Sequence, residues 1–114
     1  MDKKKVLIID DEVDFCLLMQ FYLTKKNCEV SISHMLEDGL DEFKLKNPDI
    51  IILDNNLPDG LGWPAAKNIL AQKPEIQLFL ISANKPSTKP YVDNTHFHIV
   101  EKPISILQID NFLK

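Results

Sequence analysis

The chain reads as an α/β domain built on a parallel sheet, and three observations predict this. Short apolar runs alternate with stretches of helical periodicity, the pattern of strand–helix–strand units joined by right-handed crossovers. The runs Val6-Leu7-Ile8-Ile9, Ile50-Ile51-Ile52-Leu53 and Leu78-Phe79-Leu80-Ile81 are apolar throughout, as strands covered on both faces are. A length of 114 residues, 45% hydrophobic and 26% charged, suits one globular domain able to bury its own core.

The elements follow in order. The first strand is expected at Lys5 to Ile9. A helix from Val13 to Lys26 comes next, with Phe15, Leu18, Met19 and Tyr22 at i, i+3, i+4, i+7 spacing marking its core face. Asp11 or Glu12 is placed to cap it, and Lys25-Lys26 complements the negative end of its dipole. The second strand, Glu29 to Ser33, alternates in polarity and reads as an edge. Leu36, Leu40 and Phe43 give one face of a second helix, which must stop before Asn47-Pro48-Asp49. Ile50 to Leu53, the most hydrophobic segment, is expected at the centre of the sheet.

The loop Leu57-Pro58-Asp59-Gly60-Leu61-Gly62 leads into a third helix reaching Lys73, with Pro64 in the first turn, where a missing N–H costs least. Strands four and five are expected at Glu75 to Ile81 and Phe97 to Val100. A short last helix starts near Ser105 and carries Leu107 and Phe112. Between Ala83 and His96 the rhythm breaks. Pro86 and Pro90 fall there without an apolar stripe, and a proline inside a helix costs about 3 kcal/mol. That crossover is predicted to be mostly loop, with at most a turn of helix around Pro90 to Asp93.

A net charge of −4 and a pI near 5.3 argue against nucleic-acid binding by this domain, which would draw on phosphate neutralisation. Lys3-Lys4-Lys5 is the only basic run and reads as a solvated strand start. Cys16 and Cys28 have no metal-ligand spacing and are expected as reduced thiols. Neither a signal-peptide stretch nor a run of about twenty apolar residues occurs, so the expected setting is cytoplasmic, away from a membrane.

The chemistry lies where the apolar runs end. The first runs into Asp10-Asp11-Glu12, the third into Asp54-Asn55-Asn56, the fourth stops at Ser82, and the fifth leads through Glu101 to Lys102-Pro103. In a parallel sheet these carboxyl ends lie side by side, where open α/β sheets bind ligands. Carboxylates about 5 Å apart repel by roughly 3 kcal/mol per pair at an effective dielectric near 20. Either one of Asp10, Asp11 and Asp54 protonates or a cation neutralises the group. Oxygen donors with open water positions suit Mg2+, or Mn2+, rather than zinc. Asp54 is a candidate nucleophile toward phosphorus, with Lys102 supplying a point charge and Ser82 a hydrogen bond to the phosphoryl oxygens.

Each of these residues also has an ordinary reading: a helix cap, a turn hydroxyl, a solvated lysine. Their joint occurrence after four separate runs carries the functional one. His96 and His98 fall on one face of the fifth strand but lack a third ligand, and read as core or edge histidines. Trp63 beside Pro64 reads as packing at a helix start.

On the pair Asp10-Asp11, the acceptor position Asp54, the loop Leu57-Pro58 with Gly62, Ser82-Ala83 and Lys102-Pro103, the chain resembles the receiver domains of two-component response regulators. The likeness covers nearly the whole span, 1–114, as a single receiver domain. It implies a flavodoxin-like five-stranded sheet in the order 2-1-3-4-5, with helix 4 shortened or missing here. It implies phosphorylation of Asp54 by the phosphohistidine of a sensor histidine kinase or phosphotransfer protein. It also implies Mg2+ held by Asp11, Asp54 and the backbone carbonyl of Asn56, with Asp10 acting partly through water. Ser82 and Lys102 would bind the phosphoryl oxygens, and Ala83 would leave it room. Such a domain is a phospho-acceptor, capable at most of self-phosphorylation and slow autodephosphorylation, and a homodimer is an open expectation.

The chain departs from the family's pattern in two places. The interval from Ser82 to Lys102 is shorter than usual, and the deficit falls in the proline-broken segment. The switch position, usually aromatic, is Ile99, which has no ring to swing and no phenolic hydroxyl. Asn56 and Asn84 occupy the positions that tune dephosphorylation in relatives. The phosphorylated state is therefore expected to be of modest lifetime and the output face altered. Two rivals stay open: a pseudo-receiver acting as a constitutive interaction module, and an aspartate-nucleophile phosphohydrolase. The second lacks the further carboxylate such enzymes place two residues after the nucleophile, where Asn56 stands.

Overall fold

The computed structural model describes residues 3–82, 97–102, 107, 108 and 110. β1 (Lys4–Ile9), α1 (Val13–Lys25), β2 (Cys28–Ser33), α2 (Leu36–Lys46) and β3 (Ile50–Asp54) follow in strict alternation. Two very short strands, β4 (Asn56–Leu57) and β5 (Gly60–Leu61), pair antiparallel as a separate hairpin. A 3-10 turn, Trp63–Ala65, runs into α3 (Ala66–Gln72), and β6 (Gln77–Ser82) and β7 (Phe97–Glu101) complete the sheet. The five long strands are all parallel, in the order β2-β1-β3-β6-β7. Leaving out the hairpin, this is the order 2-1-3-4-5, the α/β arrangement of flavodoxin-like folds. β3 is the middle strand and β2 an edge.

Because side chains alternate along a strand, the sheet feeds two separate cores. Leu7, Ile9, Ile51, Leu53, Leu78 and Leu80 pack with Phe43 of α2 and with Ile69 and Leu70 of α3. Val6, Ile8, Ile50, Ile52, Phe79 and Ile81 pack on the opposite face with Cys16, Met19 and Leu23 of α1. Continuous apolar strands are what such double coverage needs.

The helices differ from expectation in two respects. α1 buries Cys16, Met19 and Leu23 with Phe15 and Tyr22 packed against the same core, whereas Leu18 is 64% exposed, so only Leu18 of the predicted stripe faces away. Apolar Val13, Leu17 and Phe21 also stand exposed, and that surplus blurred the periodicity. Glu12 occupies the N-cap position of α1 without making a capping bond; instead Asp10 Oδ1 accepts the Glu12 N–H at 2.9 Å. The N-terminus of α2 is capped from far along the chain, by Asp59. Its two carboxylate oxygens accept the Leu36 and Glu37 N–H groups at 2.7 and 2.9 Å, which holds its proton affinity below the usual carboxylate range. Asn27 and Asn47 end α1 and α2 in the left-handed conformation (φ 65° and 50°), which asparagine tolerates.

The proline-broken crossover 83–96 and the question of a missing fourth helix lie outside the described residues, as do Ala83, Asn84, His96, Pro103, Ser105 and Phe112. Leu107 is helical but 75% exposed.

Candidate functional site

β1 and β3 are neighbours, and the chain leaves them toward opposite sides of the sheet. The crevice beyond their carboxyl ends is the switch point at which such sheets bind ligands. Asp10 follows β1 and Asp54 ends β3; both are buried, at 0% and 3% exposure. Asp11 is exposed at the mouth. One carboxylate oxygen from each of the three lies within 4.8 Å of the others. The β6–β7 register sets Ser82 opposite Glu101, and the Lys102 N–H donates to the Ser82 carbonyl at 2.8 Å, so both residues stand at the same end of the sheet. Thus Asp10, Asp11, Asp54, Ser82 and Lys102 converge. Asn56 starts β4 two residues past Asp54 and is exposed. Ile99 sits farther down β7, 37% exposed, opposite Leu80.

Lys102 is the charge that makes this pocket tolerable. Its side chain is 9% exposed, and Nζ lies 2.7 Å from Glu12 Oε1, 2.8 Å from Asp10 Oδ2 and 3.8 Å from Asp54 Oδ1. The Phe15 ring covers it at 5.0 Å. Burial works against its charge, but the Asp10 and Glu12 carboxylates outweigh that and raise its proton affinity. Asp54 is pushed toward its neutral form. Burial first and the Asp10 charge second raise its pKa to about 6, with Lys102 only partly offsetting them.

The pocket therefore carries more negative charge than its own lysine neutralises. The contact of Lys102 with Asp10 Oδ2 is an ion pair off the hydrogen-bonding direction, and that buried oxygen has no directed partner among the described residues. The donor set fits a hard divalent cation: three carboxylates, one of them open to water, and no thiolate within it.

Several supporting residues were not legible as such. Asn55 donates its backbone N–H to the Ile81 carbonyl at 3.1 Å, and its side-chain oxygen accepts the Trp63 N–H at 3.1 Å. Trp63 is packed at the helix start, as expected, but its indole N–H also donates to the Ile81 carbonyl at 3.3 Å. Together they tie the segment after Asp54 to β6. Gly62 is there for closeness: a Cβ would fall inside contact distance of the Asp54 carbonyl oxygen. The Asp10 carbonyl accepts from Cys16 Sγ at 3.3 Å and from His34 Nδ1 at 2.9 Å, which places the imidazole proton on Nδ1. Burial pushes the Cys16 thiol up to about 12, so it stays a thiol. His98 stacks on Phe79 (centroids 4.9 Å apart) at the sheet edge.

Comparison with known proteins agrees with this geometry. The sequence matches the response regulator receiver domain family over residues 6–114. It is 31% identical, over 96% of this chain, to a protein-glutamate methylesterase/protein-glutamine glutaminase of Methanococcus maripaludis, of which the match covers 32%. It is 30% identical, over 70% of the chain, to the alkaline phosphatase synthesis transcriptional regulatory protein PhoP of Bacillus subtilis, of which 33% is covered. The chain thus spans about a third of the length of these curated relatives. The fold matches a solved CheY-like receiver domain from Methylobacillus flagellatus with a TM-score of 0.84 at 22% identity, covering 98% of this chain and 97% of that one. Another, from Methanospirillum hungatei, gives 0.85 at 18% identity over 98% and 91%. With the family signature running through almost every residue that builds the sheet and the pocket, the chain belongs to the response regulator receiver domains, phospho-accepting modules of two-component signalling.

Proposed function

We propose that Asp54 is the phospho-acceptor, charged from the phosphohistidine of a sensor histidine kinase or phosphotransfer protein in a Mg2+-dependent reaction. The observation that carries this is the position of Asp54: a buried carboxylate at the end of the central strand, 3.8 Å from a lysine ammonium and grouped with two further aspartates. An Asp54 carboxylate oxygen attacks phosphorus in line, the P–N bond to the donor imidazole breaks, and the imidazole leaves with the bonding pair and takes up a proton. An acyl phosphate remains on Asp54. Lys102 and Ser82 meet the peripheral oxygens, the lysine as a point charge and the serine through its hydroxyl. Asp10, Asp11, Asp54 and the Asn56 backbone carbonyl would hold Mg2+, which supplies charge neutralisation for the transferring group.

Asn56 and Asn84, short amides two positions beyond Asp54 and Ser82 in the sequence, would favour hydrolysis of the acyl phosphate. Ile99 would leave the output face without its usual aromatic switch.

The reading is tested by intact mass after incubation with acetyl phosphate and Mg2+, on the wild type and Asp54→Ala. A single added phosphoryl group on the wild type, absent from the variant, is expected. Phosphate on both proteins would remove Asp54 from this role. Loss of Mg2+ binding together with no phosphate on the wild type would favour a pseudo-receiver.

A further inference from the structure

We propose that Glu12 is a positioning residue of this pocket: its carboxylate holds the Lys102 ammonium in a resting place and releases it to the phosphoryl group on Asp54. The inference rests on Asp54 being the acceptor. An ammonium has three donors. Lys102 Nζ donates to Glu12 Oε1 at 2.7 Å and pairs by charge with Asp10 Oδ2 at 2.8 Å, while Asp54 Oδ1, at 3.8 Å, lies beyond hydrogen-bonding distance. The lysine is therefore parked short of the group it must serve.

Its two holders are unlike. Asp10 is fully buried, and its other oxygen accepts the Glu12 N–H, so it cannot move away. The Glu12 side chain is 57% exposed and can turn into water at little cost, because exposed ion pairs are weak. Glu12 is also spared helix duty: it occupies the N-cap position of α1 without a capping bond, and reaches across to Lys102 instead. Phe15, from the first turn of the same helix, lies against the ammonium at 5.0 Å and limits where it can go. A phosphoryl group on Asp54 adds negative charge on the side where the lysine is underused. The ammonium then follows the stronger field, and the solvated carboxylate is the one it leaves.

The test is a double-mutant cycle on the phosphorylation rate with acetyl phosphate at saturating Mg2+, using Glu12→Gln, Lys102→Gln and the pair. Glu12→Gln is expected to speed phosphorylation about two- to fivefold, the change an exposed ion pair commands. It should have no effect when Lys102 is already glutamine. Equal acceleration in both backgrounds would mean simple charge repulsion and overturn the inference, as would no acceleration in the wild-type background.

A second readout does not depend on turnover: the NMR signal of the Lys102 ammonium group. It should shift on Glu12→Gln in the resting protein, and become insensitive to that substitution once Mg2+ and beryllofluoride occupy the site. An ammonium signal indifferent to Glu12 at rest, or still tied to it in the beryllofluoride complex, overturns the inference. No phosphate on the wild type would strike the acceptor assignment instead.

Discussion

Asp54, the proposed phospho-acceptor, also carries a cost. An aspartate free in an unfolded chain has a pKa near 3.9, and burial together with the Asp10 charge lifts it to about 6 in the fold. For a carboxyl group raised in the folded state, the contribution to stability is full below the unfolded pKa and is lost as pH rises through the folded one. Above about pH 6 the ionised Asp54 is therefore a destabilising group in the metal-free protein. A shift of this size corresponds to about 3 kcal/mol in a dry site; the mouth beside exposed Asp11 admits water, so about 1–2 kcal/mol is retained. Asp54→Asn, which keeps the shape and removes the charge, is expected to raise Tm by about 5 °C at pH 7.5 in chelator. The gain should vanish near pH 4, and Mg2+ should close the gap by stabilising the wild type alone. Thermal melts across that pH range check it. An unchanged or lower Tm for Asp54→Asn at pH 7.5 would show that Lys102 neutralises the pocket unaided.

At the scale of elements, the loop after β3 is fixed at three points. Asn55 and Trp63 bind it to the Ile81 carbonyl of β6, the β4–β5 hairpin shapes its middle, and Asp59 reaches out to cap α2. Gly62 closes the arrangement by lying against the Asp54 backbone, while Gly39 in α2 lies against the Ile9 side chain. These two glycines predict different failures. A methyl at Gly39 would meet Cδ1, Cγ1 and Cγ2 of buried Ile9 at 2.5, 2.7 and 2.9 Å, so that side chain must shift, and alanine recovers about 1 kcal/mol of helix propensity. Gly39→Ala should therefore lower stability by only about 1–2 kcal/mol, with phosphorylation intact. A methyl at Gly62 meets a backbone carbonyl that cannot rotate away. Gly62→Ala should cost about 2–3 kcal/mol and slow phosphorylation of Asp54, because the displaced atom belongs to the acceptor itself. Melts paired with intact-mass time courses separate the cases, and equal phosphorylation rates in both variants would contradict the assignment of Gly62.

Across the whole molecule, what was legible followed from strand composition and strand-end chemistry. Doubly covered strands must be apolar along their length, so β1, β3 and β6 stood out, and parallel order brought Asp10, Asp11, Asp54, Ser82 and Lys102 to one end. The rest depended on direction, which one-dimensional pattern does not carry. Glu12 read as a cap because it precedes a helix, yet its side chain turns to Lys102. α1 has apolar residues on more than one side, so spacing alone misplaced Leu18. The hairpin and the capping reach of Asp59 depend on tertiary contact alone. The same distinction between pocket and periphery bears on how far a signal at Asp54 travels. Its immediate surroundings are tightly joined: Asn55 and Trp63 to Ile81, and Lys102 to Ser82. Ile99, by contrast, is already 37% exposed at rest, with neither a ring to bury nor a hydroxyl to recruit. A switch needs two discrete arrangements with different contacts, and we propose that this side chain supplies no second one. Addition of beryllofluoride and Mg2+ is therefore expected to move backbone NMR signals around residues 10–12, 54–63, 82 and 102. The shifts should fade beyond that shell. Large changes spread through residues 83 to 104 would show that the face around β7 rearranges by a route other than its switch position, and would end the claim of an altered readout.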